Sequence, residues 1–265
     1  MGSSCTDTYF LIFRGRLKDL FNREFRRTTI LLWIIWAGCS FVYYGIVLMT
    51  TELYETPGDN VCALDGELEQ TCSAQCRDLD RKDYTHLLWT TLAEFPGIML
   101  TIFTIEKLGR KKTMALEFIL LTIALCFLFN CSSNRFLLTV IMFFVRGFAS
   151  GVFQVSLSYF YIRKRHFFNL ILIHLQAAYV YTPEVYPTVL RSIGVGSCSG
   201  MARLGATLTP YIAQVLMKKS LHLAVGVYVS VALIAAFSCL LLPFETRGHE
   251  MSDRGRNSNI QISAK

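Results

Sequence analysis

Three ionisable residues, Glu94, Arg146 and Arg203, stand inside long apolar runs of this 265-residue chain, where a charge is costly unless it meets a partner or a wet cavity. Glu94 precedes Phe95-Pro96-Gly97; the proline withholds a backbone N–H from the helical ladder and can open a polar pocket beside the acid. Arg146 is near the middle of its run, followed by Gly147 and Gly151. Arg203 lies in G-S-C-S-G-M-A-R-L-G-A-T-L-T-P, where Gly196, Ser197, Ser199, Gly200, Ala202 and Gly205 let another helix come close and should aim the guanidinium inward. Glu94 and Arg146 could each bind a solute, couple protons or pair with the other, a structural ion pair being the competing reading; for Arg203 the competing reading is a structural partner for a backbone carbonyl or an acid. Glu117, one turn into its own run, is expected to join a cytoplasmic charge network around Lys111 and Arg191.

The sequence offers little other chemistry. It has no nucleotide-phosphate loop, no nucleophile beside a base and no paired catalytic carboxylates, so neither an enzyme nor a cofactor is expected. The five histidines are scattered. Of nine cysteines the nearest are Cys72 and Cys76, with no histidine near them, which argues against a metal site.

The elements that must position the three charges are membrane helices. Apolar residues make up 53% of the chain, charged residues only 17%, and the mean hydropathy is +0.42, which excludes an ordinary water-soluble globule. The net charge of +7 does not indicate nucleic acid, because the basic residues sit at the ends of apolar runs. A bilayer core of about 30 Å needs about 20 helical residues. Six segments meet that need, near 28–50, 84–105, 113–130, 136–154, 192–217 and 221–243. The expectation is an all-α polytopic membrane protein: a cytoplasmic arm (1–27), a six-helix bundle (28–248) and a cytoplasmic tail (249–265). No cleavable leader opens the chain, so the first span should be an uncleaved anchor.

Lysine and arginine set the orientation. Eighteen of the 26 fall in the N-terminal arm, the loop 106–112, the segment 155–191 and the tail, which places both termini in the cytoplasm; Lys218 and Lys219 run against the rule. The stretch 51–83 carries nine acidic residues against Arg77, Arg81 and Lys82 and should be a folded outer loop. On that side Cys62, Cys72, Cys76 and Cys131 could form two bridges, one or none. The sequon Asn130-Cys131-Ser132 abuts the membrane and should stay unused. Residues 155–176 fit no span, since Arg163, Lys164, Arg165 and His166 lie in their middle; the apolar run 167–181 is short and better suited to an interfacial or re-entrant helix. Tyr9 to Phe25, with apolar residues among basic ones, could lie on the inner leaflet.

Three patterns fall on the cytoplasmic side. They are the run from Gly97 to Lys112 ending E-K-L-G-R-K-K, Glu184-Val-Tyr-Pro-Thr-Val-Leu-Arg191, and Pro243-Phe-Glu-Thr-Arg-Gly248. In the first, Gly109 permits a tight turn and Glu106 can pair with Arg110. Together they resemble the loop signature of the major facilitator superfamily and the sugar-porter marks of its second half. Tyr43-Tyr44-Gly45, Thr50-Thr51-Glu52-Leu53, L-L-W-T-T-L-A-E-F-P-G from Leu87, G-R-K-K-T-M-A-L from Gly109 and Y-V-Y-T-P-E-V-Y-P-T from Tyr179 narrow the resemblance to a vesicle-membrane branch.

The resemblance covers roughly Arg14 to Gly248 and matches only the second half of a twelve-helix fold. It implies a transporter working by alternating access, sugar-porter-like or handling organic ions, with lipid and a small solute as partners and no nucleic acid. Glu106, Gly109, Arg110, Glu184, Arg191, Glu245 and Arg247 would latch the outward-open state. Arg203 would take part in anion handling, with Arg146 and Glu94 as further substrate-binding candidates. A missing N-terminal half or a second copy would complete the bundle, and the location would be a cytoplasmic or synaptic vesicle membrane. Residues 155–176 have no counterpart, which suggests alternative splicing or a mispredicted gene model. The rival expectations are a non-transporting vesicle receptor, with the loop 51–83 as its interaction surface, and an inactive truncated product.

Overall fold

The computed structural model describes residues 16–55, 81–129, 135–155, 182 and 185–243. A 3-10 turn, Leu17–Phe21, precedes α1, Arg26–Glu55. Then come α2 (Arg81–Leu92), α3 (Glu94–Leu108), α4 (Arg110–Phe127) and α5 (Arg135–Val155). The last pair is α6 (Thr188–Pro210), continued by a π-helical stretch Tyr211–Leu216 and by Met217–Lys219, and α7 (Leu221–Leu241). Every regular element among the described residues is helical.

These helices fill the six expected spans, with α2 and α3 sharing the second. Pro96 explains that division. It cannot donate to the carbonyl of Leu92, four residues back, and its ring crowds that carbonyl; the ladder breaks at Ala93 and resumes with Gly97 N–H donating to the Ala93 carbonyl at 3.2 Å. Arg26–Tyr54, Tyr84–Thr104 and Leu221–Leu241 are long and apolar enough to cross a bilayer. The apolar stretch of α5, Phe136–Val152, is shorter, and α4 and α6 carry more charged, small or polar residues. The ends of the expected outer loop are helical, since α1 runs to Glu55 and α2 begins at Arg81. Residues 56–80, the segment 156–181, the sequon and the tail lie outside the described residues, as do Cys62, Cys72, Cys76 and Cys131.

The distribution of side chains is that of a bundle in lipid. Phe103, Phe136 and Phe237 are 64%, 73% and 63% exposed, and Leu88, Trp89, Ile123, Leu208 and Ile234 also point outward. In water such a surface would aggregate. Inside, Thr101, Glu117, Arg146, Ser150 and Thr209 are buried beside the apolar core, and many threonines and serines bond a carbonyl of the preceding turn, as backbone and side-chain polar groups must where no water competes. At the centre, α1 packs along α6 and α7, α4 fits between α5 and α7, and α3 lies on α5.

Two crossings are close enough to exclude a side chain. A Cβ on Gly205 of α6 would collide with the Ala37 carbonyl of α1, and one on Gly97 of α3 would collide with the Gly147 carbonyl of α5. The second crossing fixes the register of the helices that carry Glu94 and Arg146.

Candidate functional site

Arg146 and Glu94 meet. The guanidinium, buried on α5, donates through Nη2 to Glu94 Oε1 at 2.8 Å. Glu94 is the first residue of α3, so the helix break that Pro96 causes also puts the carboxylate at the positive end of a helix start. The Tyr43 hydroxyl of α1 hydrogen-bonds the same carboxylate, joining three spans at one point. The side chains of Arg146 and Glu94 are 9% and 25% exposed, so the cluster opens to the bundle surface through the acid. Arg146 Nε is buried and has no hydrogen-bond partner. A guanidinium has five N–H donors in a fixed fork, and a buried unfilled donor beside a reachable carboxylate suits a polar ligand that brings an acceptor oxygen.

Arg203 does not join them. It is exposed on α6, as are Gly196, Gly200 and Thr207, while Gly194, Cys198, Gly205 and Thr209 of the same helix are buried. The expected inward aim of Arg203 is therefore corrected. The small residues form two stripes, and the one that packs on α1 contains Gly205. At 3.6 residues per turn, two positions put Arg203 about 200° away from it. The outward stripe is open, with nothing within 4 Å of a Cβ built on Gly196 or Gly200.

Glu117 is also relocated. It lies seven residues beyond Arg110, inside the bundle, and its Oε1 is 2.6 Å from the Thr101 hydroxyl of α3; its Oε2 is buried without a partner. It bonds Thr101 rather than joining Lys111 and Arg191. The signal for this pair was in the sequence: Thr101 and Glu117 are equidistant from Gly109, the single residue between α3 and α4, so a tight hairpin must bring them together.

At the turn between α3 and α4 Gly109 has φ 87°, the left-handed backbone that makes glycine the natural residue there. Lys111 Nζ donates to the carbonyl of Leu242 at 2.6 Å, a cation at the C-terminal end of α7 where orphan carbonyls point. The first motif region therefore reaches the residue just before the motif that follows α7. The Glu184–Arg191 region touches α1: the Tyr186 hydroxyl is 2.8 Å from Thr29 Oγ1, which donates to the Leu20 carbonyl at 3.2 Å. Burial pushes the Tyr186 phenol up to about 12. Leu20 is fully buried, while Leu17 and Phe21 are exposed, so this part of the arm is anchored in the bundle. Arg191 is half-buried and its Nε lacks a hydrogen-bond partner. Glu184, Glu245, Arg247 and the side chains of Glu106 and Arg110 lie outside the described residues, as does the proposed Glu106–Arg110 pair.

Tyr43 and Thr101 were not singled out from sequence. Each is an ordinary polar residue in an apolar helix, and only the helix packing shows which acid it meets.

No family model matches the chain. It is 45% identical to the synaptic vesicle 2-related protein of Rattus norvegicus, an alignment covering 92% of this chain and 43% of the relative. A Caenorhabditis elegans protein named as a candidate transporter, svop-1, is 45% identical, with 91% and 41% covered. A human protein named as a candidate transporter, SVOPL, is 31% identical, with 90% and 45% covered. The chain spans less than half the length of the curated relatives it matches.

Proposed function

The chain belongs with the synaptic vesicle 2-related proteins to the major facilitator superfamily, and from that premise we propose that it serves membrane transport as one six-helix half of an alternating-access transporter. A complementary bundle, a further half or a second copy, supplies the opposite wall. Solute is held near the midplane and access alternates as one half rocks on the other. The location that fits the relatives is a vesicle membrane with both termini in the cytoplasm. The bundle comprises 28–248, flanked by the arm 1–27 and the tail 249–265.

The observation that carries this reading is the Arg146–Glu94 pair with its unfilled Nε donor. The ligand class it fits is a small organic anion, whose carboxylate or phosphate oxygen fills that donor while Glu94 and Tyr43 take its polar hydrogens. The cytoplasmic contacts through Lys111 and Tyr186 are the parts of the motif regions able to latch one state.

The test is thermal stabilisation of the purified chain by a panel of mono- and dicarboxylates and organic phosphates, repeated with R146K. Lysine can keep the charge pair with Glu94 but has no Nε donor in that position. One ligand class should stabilise the wild type, and R146K should retain the fold and lose the response. No response in the wild type, or an equal response in R146K, contradicts the proposal.

One observation favours the receptor reading. Arg203 is separate from Glu94 and Arg146, so the three charges do not form one continuous path in this bundle. In that case the loop 51–83 is the interaction surface, and the panel finds no ligand.

A further inference from the structure

We propose that Glu117 is a proton-binding site, a carboxylic acid held neutral between α3, α4 and α5. Thr101 Oγ1 is within hydrogen-bond distance of two acceptors, the Gly97 carbonyl at 3.0 Å and Glu117 Oε1 at 2.6 Å. A threonine hydroxyl has one hydrogen and a carbonyl can only accept. Both contacts are hydrogen bonds at once when Thr101 donates to Gly97 and the carboxyl O–H donates to Thr101; the short O···O distance suits such a donor. An ionised Glu117 would have at most that single hydroxyl for two oxygens, since Oε2 is buried with no partner.

Among the described residues its surroundings supply no counter-ion, and the titratable groups facing it there are the buried thiols of Cys39 on α1 and Cys239 on α7. The nearby cations are engaged: Lys111 of α4 with the Leu242 carbonyl and Arg146 of α5 with Glu94. Gly151 of α5 closes the pocket, because a Cβ there would stand 2.9 Å from Thr101 Oγ1 and 3.4 Å from Glu117. A lone buried carboxylate is among the costliest groups to keep in such a place.

The site has a route to the solute-binding candidate. Glu94 and Thr101 are seven residues apart on α3, two turns along one face; Gly97 between them lies against Gly147 of α5, and Thr101 against Gly151. When the carboxyl O–H bond breaks and the proton passes to water, the remaining carboxylate draws water or a cation between α3 and α4 and shifts α3, which carries Glu94. This deepens the transport reading by naming the proton as coupling ion, and rests on that reading for the coupling only.

The test is infrared spectroscopy of the full chain in lipid vesicles. The protonated-carboxyl C=O band should be present at neutral pH, fade only on alkalinisation, persist in E94Q and be lost in E117Q. A wild type without the band, or an E117Q spectrum identical to wild type, overturns the proposal. Should E117Q fail to fold, T101V provides the readout, because it keeps the acid and removes its acceptor: a shifted band is expected, and an unshifted one refutes the site. The band reports the proton whether or not solute moves, so the site and the transport reading fail separately.

Discussion

Arg146 and Arg203 carry the same group on helices of one bundle, each beside glycines, and their fates differ. Arg146 is buried, paired with Glu94 and retains an unused donor; Arg203 is exposed on an open stripe of α6. A charge in an apolar helix acquires its role from the phase of that helix against its neighbours. Glycine next to it indicates close packing somewhere, but not on which side.

The comparison is broken most easily at the paired arginine. R146A leaves Glu94 without its cation and should lower stability by roughly 3 kcal/mol, the low end for an uncompensated buried partner, whereas R203A should stay within about 0.5 kcal/mol, as surface changes do. Thermal or denaturant unfolding of the detergent-solubilised chain measures both. Similar losses from the two would show that burial is not what separates them.

Glycine substitutions sharpen the same contrast. G97A drives a methyl group into the Gly147 carbonyl and should cost about 1–3 kcal/mol as overpacking, with the Glu94–Arg146 contact displaced. G200A meets nothing within 4 Å and should be neutral or gain up to about 1 kcal/mol from helix propensity. A costly G200A would mean that the outward stripe is already occupied in the purified protein.

A smaller effect is expected at the end of the bundle that holds Lys111 and Tyr186. K111M removes a charge-assisted bond to the end of α7 and should cost about 0.5–1 kcal/mol, read as a lower melting temperature. The Tyr186 phenol is neutral in the folded state until about 12, against 10.0 for an ordinary tyrosine. Its contribution to stability should be constant below pH 10 and be lost between 10 and 12, while Y186F should lack that alkaline component.

Much of the fold was legible in the sequence because a bilayer imposes one simple requirement, about 20 apolar residues per crossing. The segments near 28–50 and 221–243 could hardly be anything else, and Pro96 signalled the break in the second span. The ion pair was legible only as one option for Glu94 and Arg146, since nothing local to either residue selects a partner 52 positions away. Arg203 was misdirected because its flanking small residues serve two faces. Glu117 was misplaced because the basic run Arg110-Lys111-Lys112 lies a little over a turn before it, although its standing as far beyond Gly109 as Thr101 stands before it held the answer.

If Arg146 and not Arg203 receives the anion, a binding titration of the stabilising anion against wild type, R146K and R203K in parallel shows it most directly. R146K should weaken binding by about tenfold or more, the equivalent of losing one charge-assisted hydrogen bond, and R203K should match wild type. Wild-type affinity in R146K, with the loss appearing in R203K instead, would contradict the account.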